Sequence, residues 1–211
     1  MRTRLRFEFF ILFICIPLAL AVHPTRMAAH ICLWLISAYS IFVMTRVPGF
    51  SWRELWHGKK WPARHKKAAL IRFIAATVLI VIFTDAIAPQ RLFAFPVQRP
   101  GFWLLVMILY PILSALPQEL VFRSYFHRRY ATLFPTRAAM ISINAFCFGL
   151  VHVMFHNWVS PLLSVIAGAL FAWSYSQHRS LKWAAIEHAA YGCMIFTCGI
   201  GLYFLVGVAR P

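Results

Sequence analysis

Long apolar runs separated by short basic segments dominate the hydrophobic pattern of this chain. A membrane-crossing helix needs roughly 20 apolar residues, and seven stretches approach that length. The predicted spans are residues 9–25, 27–45, 69–88, 101–117, two within 138–178 that turn near 156–161, and 183–209. Gly199 and Gly201 favour a break in the last of them, which would give a short eighth span. The pattern therefore predicts an all-α fold, a polytopic transmembrane helical bundle of seven or eight spans.

Composition supports one integral membrane domain over residues 1–211. Hydrophobic residues make up 62% of the 211 residues and charged residues only 12%. The formal charge of +16 is confined largely to the segments between apolar runs, which is typical of membrane topology signals and excludes a nucleic-acid partner. The five cysteines lie in apolar segments without metal-ligand spacing, so they indicate packing residues and not a disulfide framework.

The distribution of basic residues predicts the orientation. With the N-terminus cytoplasmic, the inner side holds most of them, including the seven Lys and Arg of residues 46–67. That basic cytoplasmic loop also carries Trp52, Trp56 and Trp61, and we expect it to lie on the anionic inner leaflet or to be an ordinary basic loop. We expect a prokaryotic cytoplasmic membrane. The first span, with Ala19-Leu20-Ala21 near its end, is predicted to be a retained signal anchor, although it has features of a cleavable signal peptide.

Ionisable side chains inside the apolar segments are the candidate functional residues. Glu119 and Arg123 are four apart and share a helix face, whereas Glu187 points about 100° away from its neighbour His188. A charged group at membrane depth costs on the order of 3 kcal/mol and usually marks a functional interior. Rough helix geometry puts Glu119, His152 and His188 between the inner interface and mid-bilayer, which predicts a shared polar cavity.

Other interpretations of these residues stay open at this stage. Glu119 and Arg123 could be a structural ion pair, and a lone histidine in a helix is more often a packing residue than a catalyst. Glu119, His152 and His188 could instead bind zinc with a water as fourth ligand, although the His-Glu-x-x-His pattern is missing. A proton-coupled transporter is a further hypothesis, disfavoured because we see no repeats. No other cofactor is predicted.

Three motifs in order resemble those of the CAAX prenyl endopeptidase and bacteriocin-processing (CPBP) intramembrane proteases, related to Ras-converting enzyme. They are Glu119-x-x-x-Arg123, Phe148-x-x-x-His152 and the late His188, within a core at residues 102–204. The resemblance implies a glutamate-dependent peptidase. A first-motif glutamate and the second-motif histidine would activate a water, and the late histidine with a following asparagine would stabilise the oxyanion.

The chain departs from the family pattern at two catalytic positions. The first of two motif glutamates is Gln118, and the asparagine four residues after the late histidine is Gly192. In a variant enzyme, Glu119 or Glu187 would act as base, and Gln118, Tyr191 or Asn157 would supply a hydrogen-bond donor. We expect an intramembrane endopeptidase that cuts near the end of a membrane-associated or lipidated peptide or protein substrate. The alternative is a catalytically degenerate interaction or immunity protein of the same fold.

Overall fold

A computed structural model describes residues 2–205, and the predicted last span therefore extends, at 206–209, outside the described residues. Nine helices and no strand occur within this range. They are α1 Arg2–Val22, α2 Arg26–Thr45, α3 Trp52–His57, α4 Ala63–Ile87, α5 Ala94–Gln98, α6 Pro100–Arg129, α7 Arg137–Val151, α8 Val159–His178 and α9 Leu181–Cys198. The predicted helical membrane bundle is confirmed.

Six helices within residues 2–205 are long and apolar enough to cross a membrane: α1, α2, α4, α6, α8, and α7 together with the 3₁₀ turn that extends it to Phe155. The seventh predicted span is the 18-residue α9, which is not among those six because its sequence carries several polar side chains. The predicted break after α9 is confirmed. Gly199 ends the helix with φ +98°, and a 3₁₀ turn follows over Ile200–Phe204. A side chain at 199 would place its Cβ only 2.1 Å from the Arg91 carbonyl oxygen, so glycine is required there.

Helix α6 carries the first sequence motif and is irregular along its length. Its i→i+4 ladder widens into π-helical turns over Pro111–Ala115 and Leu120–Tyr125. Pro111 and Pro117 lack the N–H that a regular ladder needs, and π-turns inside α-helices are often found at functional sites. The second π-turn starts directly after Glu119 and contains Arg123, so the irregularity sets the direction of the motif side chains.

The first helix is built into the core of the bundle. Phe13 of α1 is 1% exposed, and its ring makes edge contacts with Phe122 and Phe126 of α6 at centroid distances of 5.4 and 5.0 Å. Removing α1 would expose these aromatic rings and would cost several kcal/mol of buried apolar area. The packing therefore supports the prediction that α1 is a retained span.

A polar cluster joins α1 to the end of α6. Glu8 accepts hydrogen bonds from Arg129 at 2.9 and 2.7 Å, from Tyr125 at 2.6 Å and from Tyr130 at 2.9 Å. Burial raises the pKa of the Tyr130 hydroxyl above its ordinary value, so this hydroxyl remains a donor. The two-pronged arginine contact is the strong form of carboxylate recognition and fixes the start of α1 against the end of α6.

Hydrogen bonds join connecting segments that the predicted topology places on the same side of the membrane. Lys59 N donates to His178 O at 2.6 Å and Ser180 Oγ donates to Trp56 O at 2.7 Å, so the basic segment lies beside the α8–α9 connection. On the other side, His156 Nε2 lies 2.7 Å from Ala21 O. These contacts agree with the predicted alternation of the segments. Which side faces the cytoplasm stays a prediction.

Candidate active site

Glu119 and His188 meet in the interior of the bundle. His188 Nδ1 lies 2.9 Å from Glu119 Oε1, a hydrogen bond between α9 and α6 across 69 residues of sequence. The glutamate is 0% exposed and the histidine 6%. Arg123 Nε lies 3.1 Å from the other carboxylate oxygen, as a close ion pair and not an aligned hydrogen bond. The predicted sharing of a helix face by Glu119 and Arg123 is thus confirmed, and it is extended by a histidine from another helix.

The Arg123 guanidinium is held by polar and aromatic groups together. Nη1 donates to Asn144 Oδ1, and the Asn144 amide in turn donates to the Phe122 carbonyl. The guanidinium carbon lies 4.9 Å from the Phe148 ring centroid and 5.8 Å from that of Phe171. Ring faces attract cations most strongly where water is excluded, and Arg123 is 0% exposed. The guanidinium is therefore held between Asn144 and two ring faces, with the Glu119 carboxylate beside it.

His152 lies within the fifth candidate span, Arg137–Phe155, as predicted, but in its 3₁₀ part. It is the residue directly after α7, at the start of a 3₁₀ turn over His152–Phe155. Its Nδ1 lies 2.7 Å from the Phe148 carbonyl oxygen, and since a carbonyl only accepts, Nδ1 must carry the proton. Phe148 also contacts the rings of His152 and His188, at centroid distances of 4.9 and 5.6 Å. One phenylalanine therefore positions both histidines.

A cavity of about 380 Å³ opens beside these histidines. Its walls are mostly apolar, and its polar groups come from a small set of side chains: Tyr110, Ser114, Gln118, His152, His188 and Tyr191, with Ser164 and His30 farther along the wall. None of the residues within 2–205 that line it is an aspartate or glutamate. Glu119 thus lies behind His188 as viewed from the cavity, and the imidazole is the group that faces the space.

Gln118 occupies the cavity wall in the place where the resemblance led us to expect a carboxylate. Its Nε2 donates to Ser114 Oγ at 2.8 Å, whereas its Oε1 is buried and has no partner in the described range. The side chain of Gln118 is only partly buried, unlike that of Glu119. The first-motif residue that contacts the cavity is consequently a neutral amide.

Two predicted candidates lie away from this cavity. Glu187 is paired with Arg72 of α4 at 3.5 Å and does not line the cavity. Asn157 uses its amide N–H groups on the Phe155 and Tyr203 carbonyls, at 3.2 and 2.9 Å, and its Oδ1 accepts from Ser160 N. These contacts brace the connection that precedes α8, so Asn157 acts on the backbone and has no donor left for a substrate.

Tyr191 and Gly192 do reach the cavity. The Tyr191 hydroxyl is buried and has no hydrogen-bond partner in the described part of the chain, and its ring packs against Phe73 and Phe171. Gly192 makes room for a neighbour, because a Cβ at this position would lie 2.2 Å from the Tyr110 hydroxyl oxygen. Tyr191 therefore remains a possible donor, and Gly192 admits a second tyrosine.

Sequence reasoning missed two residues at this site. Asn144 lies four and eight residues before Phe148 and His152, so its helix face was a usable signal in a stretch free of charged residues. Tyr110 gave no comparable signal, because its position beside His188 depends on how α6 and α9 cross. Both lie outside the motifs on which the resemblance rests.

No group of three His, Cys, Asp or Glu side chains arranged to hold a metal ion occurs within residues 2–205. Glu119 and His188 are hydrogen-bonded to each other and His152 to a backbone carbonyl. The zinc alternative for these three residues remains a hypothesis to be tested in solution.

The fold and the site define the chain as a helical membrane protein with a carboxylate–imidazole pair at an internal cavity. Residues 100–194 match the family model described as type II CAAX prenyl endopeptidase Rce1-like. This segment spans α6 to most of α9 and carries the three motifs, so the family-model match confirms the resemblance inferred from them. No curated protein matches the chain, and no solved structure does so either.

Proposed function

We propose that this protein is an intramembrane endopeptidase that hydrolyses a peptide bond near the end of a membrane-associated or lipidated substrate. The observation that carries the proposal is the buried hydrogen bond of 2.9 Å between Glu119 and His188, placed at the wall of a cavity inside an Rce1-like core. A buried acid–imidazole pair that faces an internal space is the arrangement that general-base catalysis requires.

The protonation pattern supports His188 as the base that contacts water. Glu119 would act as the carboxylate partner of the Arg123 guanidinium, and a carboxylate only accepts hydrogen bonds. Nδ1 of His188 must then carry the proton, which leaves a lone pair on Nε2. The same logic holds for His152, whose Nδ1 donates to a carbonyl. Both cavity-lining histidines are thereby fixed in the tautomer that presents a basic Nε2.

Hydrolysis would proceed through proton transfer to and from His188. Nε2 takes a proton from a water as the oxygen attacks the scissile carbonyl, and Glu119 stabilises the imidazolium that forms. The C–N bond of the tetrahedral intermediate then breaks, and the imidazolium returns its proton to the leaving amine. Positioned general bases of this kind contribute about 10²–10⁴-fold in rate, and His152 would orient the attacking water.

This assignment gives the variant motif residues definite roles. Glu119 acts through His188 and does not touch the water itself, because it does not line the cavity. Gln118 has a second amide N–H beyond the one used on Ser114 and would orient the substrate carbonyl. Glu187, held by Arg72 outside the cavity, would have a structural role, and no metal is needed for any step.

A membrane surface would present the substrate to the bundle. Trp52 and Trp56 are 55% and 40% exposed on the short helix α3, within the basic segment 46–67. Indole rings favour the headgroup level and basic side chains favour anionic lipid. We propose that this segment lies on the anionic inner leaflet, with the N-terminus of the chain on the cytoplasmic side of a prokaryotic membrane.

One observation favours a second function, that of a non-catalytic membrane interaction or immunity protein. Within residues 2–205 no carboxylate lines the cavity, and the first-motif residue that does so is Gln118. A protein that only binds a peptide would keep the apolar walls but would not need a base. The two functions differ in whether a covalent bond of the partner is cut.

A comparison of membrane proteomes decides between them. Cells would carry the wild-type protein, His188→Asn or Glu187→Gln. The asparagine can still donate to Glu119 from the position of Nδ1 but has no group at the position of Nε2, and Glu187→Gln is the matched control outside the cavity. We expect uncut precursors of a membrane-associated protein to accumulate in His188→Asn alone. Identical peptide ends in wild-type and His188→Asn cells would refute the endopeptidase and favour the binding protein.

A further inference from the structure

The hydroxyl of Tyr110 lies against the backbone of α9 at Gly192. A Cβ built at position 192 would lie 2.2 Å from the Tyr110 Oη, 2.3 Å from Cε1 and 2.4 Å from Cζ. Real Cβ atoms do not approach other atoms so closely, so any side chain at 192 would displace the phenol. Tyr110 can therefore occupy its position only because residue 192 is glycine, and we treat the two residues as one structural unit.

This unit lies next to the proposed base. Gly192 is four residues after His188 and on the same face of α9, and the Tyr110 ring packs edge-on against the His188 ring at a centroid distance of 6.1 Å. A second edge contact, with Phe196 at 5.5 Å, holds the far side of the ring. Tyr110, His188 and Gly192 all line the same cavity. The hydroxyl thus lies beside Gly192, one helical turn from His188, at the wall of the cavity where His188 would activate water.

We propose that Tyr110 is a catalytic residue whose hydroxyl donates a hydrogen bond to the oxyanion of the tetrahedral intermediate. The inference rests on the proposed hydrolytic function and assigns one more group to the same site. Two other donors reach the same cavity, and their contacts differ from those of Tyr110. Gln118 uses one N–H on Ser114 and would orient the substrate carbonyl with the other, as proposed above. The Tyr191 ring packs against Phe73 and Phe171, whereas the Tyr110 ring packs against His188.

A phenol suits this task at membrane depth. It is a neutral donor, so it adds no buried charge before the reaction begins. When the hydroxide oxygen bonds to the scissile carbon, the carbonyl oxygen becomes anionic and accepts the Tyr110 O–H. When the C–N bond breaks, the carbonyl re-forms and the phenol keeps its proton. Donors aimed at a developing charge in a water-poor site stabilise the transition state more than the ground state.

The test uses full-length protein in proteoliposomes and the precursor that accumulates in His188→Asn cells. Tyr110→Phe should lower kcat about 10²-fold while KM stays within about threefold, because loss of one oxyanion donor affects the transition state selectively. Tyr39→Phe is the matched control, since Tyr39 is 38% exposed on α2 and outside the cavity. It should keep kcat within twofold.

A double-mutant cycle separates the hydroxyl from simple packing. Gly192→Ala should displace the phenol and lower kcat by a similar factor, whereas adding it to Tyr110→Phe should cost little more, because the donor is already lost. Kcat within twofold of wild type for Tyr110→Phe would overturn this inference and leave the proposed function intact. A loss expressed only in KM would also overturn it. Failure of the wild-type protein to cut the precursor would refute the proposed function itself.

Discussion

Glu119→Gln tests whether the ion pair between Glu119 and Arg123 and the hydrogen bond between Glu119 and His188 act together. The substitution keeps the size of the side chain but removes the negative charge that compensates Arg123, and both side chains are 0% exposed. Removing one partner of a buried ion pair costs about 3–5 kcal/mol. Asn144 and the ring faces of Phe148 and Phe171 still hold the guanidinium, so we expect a loss near 3 kcal/mol.

Activity should fall further than stability alone explains. A neutral glutamine does not fix the proton of His188 on Nδ1 and does not stabilise an imidazolium. The corresponding change of an orienting carboxylate to an amide in a serine-protease triad lowers kcat by about 10⁴. We therefore expect turnover to drop about 10³–10⁴-fold in the fraction of Glu119→Gln protein that is folded.

The assay combines unfolding by SDS in mixed micelles with cleavage of the precursor described above. The double variant Glu119→Gln/Arg123→Gln should recover most of the lost stability, since no charge remains buried without a partner, but it should stay inactive. The control is Glu187→Gln, whose pair with Arg72 is partly exposed and should contribute at most about 1 kcal/mol. The reasoning would be refuted if Glu119→Gln had an unfolding free energy within about 0.5 kcal/mol of wild type, against the roughly 3–5 kcal/mol typical of a broken buried pair, and a turnover within about twofold.

The remaining predictions concern the stability of the bundle, its orientation in the membrane and its metal content. Glu8→Gln should lower stability by about 1–3 kcal/mol, because it weakens charge-assisted bonds to Arg129, and SDS unfolding measures the loss; an unchanged midpoint would contradict a structural role for α1. Reporter fusions at Trp61 and Pro135 should indicate the cytoplasm and one at Gln98 the outside, whereas an external signal at Pro135 would reverse the topology. Chelation should leave cleavage intact and elemental analysis should find less zinc than protein; stoichiometric zinc that disappears with activity in His152→Ala would establish a metalloprotease.

The features that sequence could predict are those governed by local rules. Apolar run length fixes which segments form spans, so α1, α2, α4 and α6 to α8 were predictable without any tertiary information. The i,i+4 spacing predicted that Glu119 and Arg123 share a face and can pair, and the 100° rotation per residue predicted that Glu187 and His188 could not face the cavity equally. In each case the relevant geometry is contained within one helix.

The features that sequence could not predict depend on how helices cross. Glu119 and His188 are 69 residues apart, and nothing in either helix specifies that their side chains meet through Oε1 and Nδ1. The placement of Glu119 behind the imidazole, instead of at the cavity surface, follows from the π-turn that begins after it. His152 lies on the predicted span, but the change from α-helix to 3₁₀ turn at this residue was not predicted, because turn geometry is poorly encoded in an apolar stretch.

The departures at 118 and 192 are physically consistent with a working site. Within residues 2–205, Arg123 is the only Lys or Arg that forms an ion pair with Glu119, so one carboxylate balances one guanidinium at this depth. A second carboxylate at position 118 would place an uncompensated charge at an apolar wall, at a cost of several kcal/mol. At position 192, glycine removes a side chain but admits the Tyr110 hydroxyl to the same region. A neutral donor in each place lets the buried charge pair of Glu119 and Arg123 act through His188.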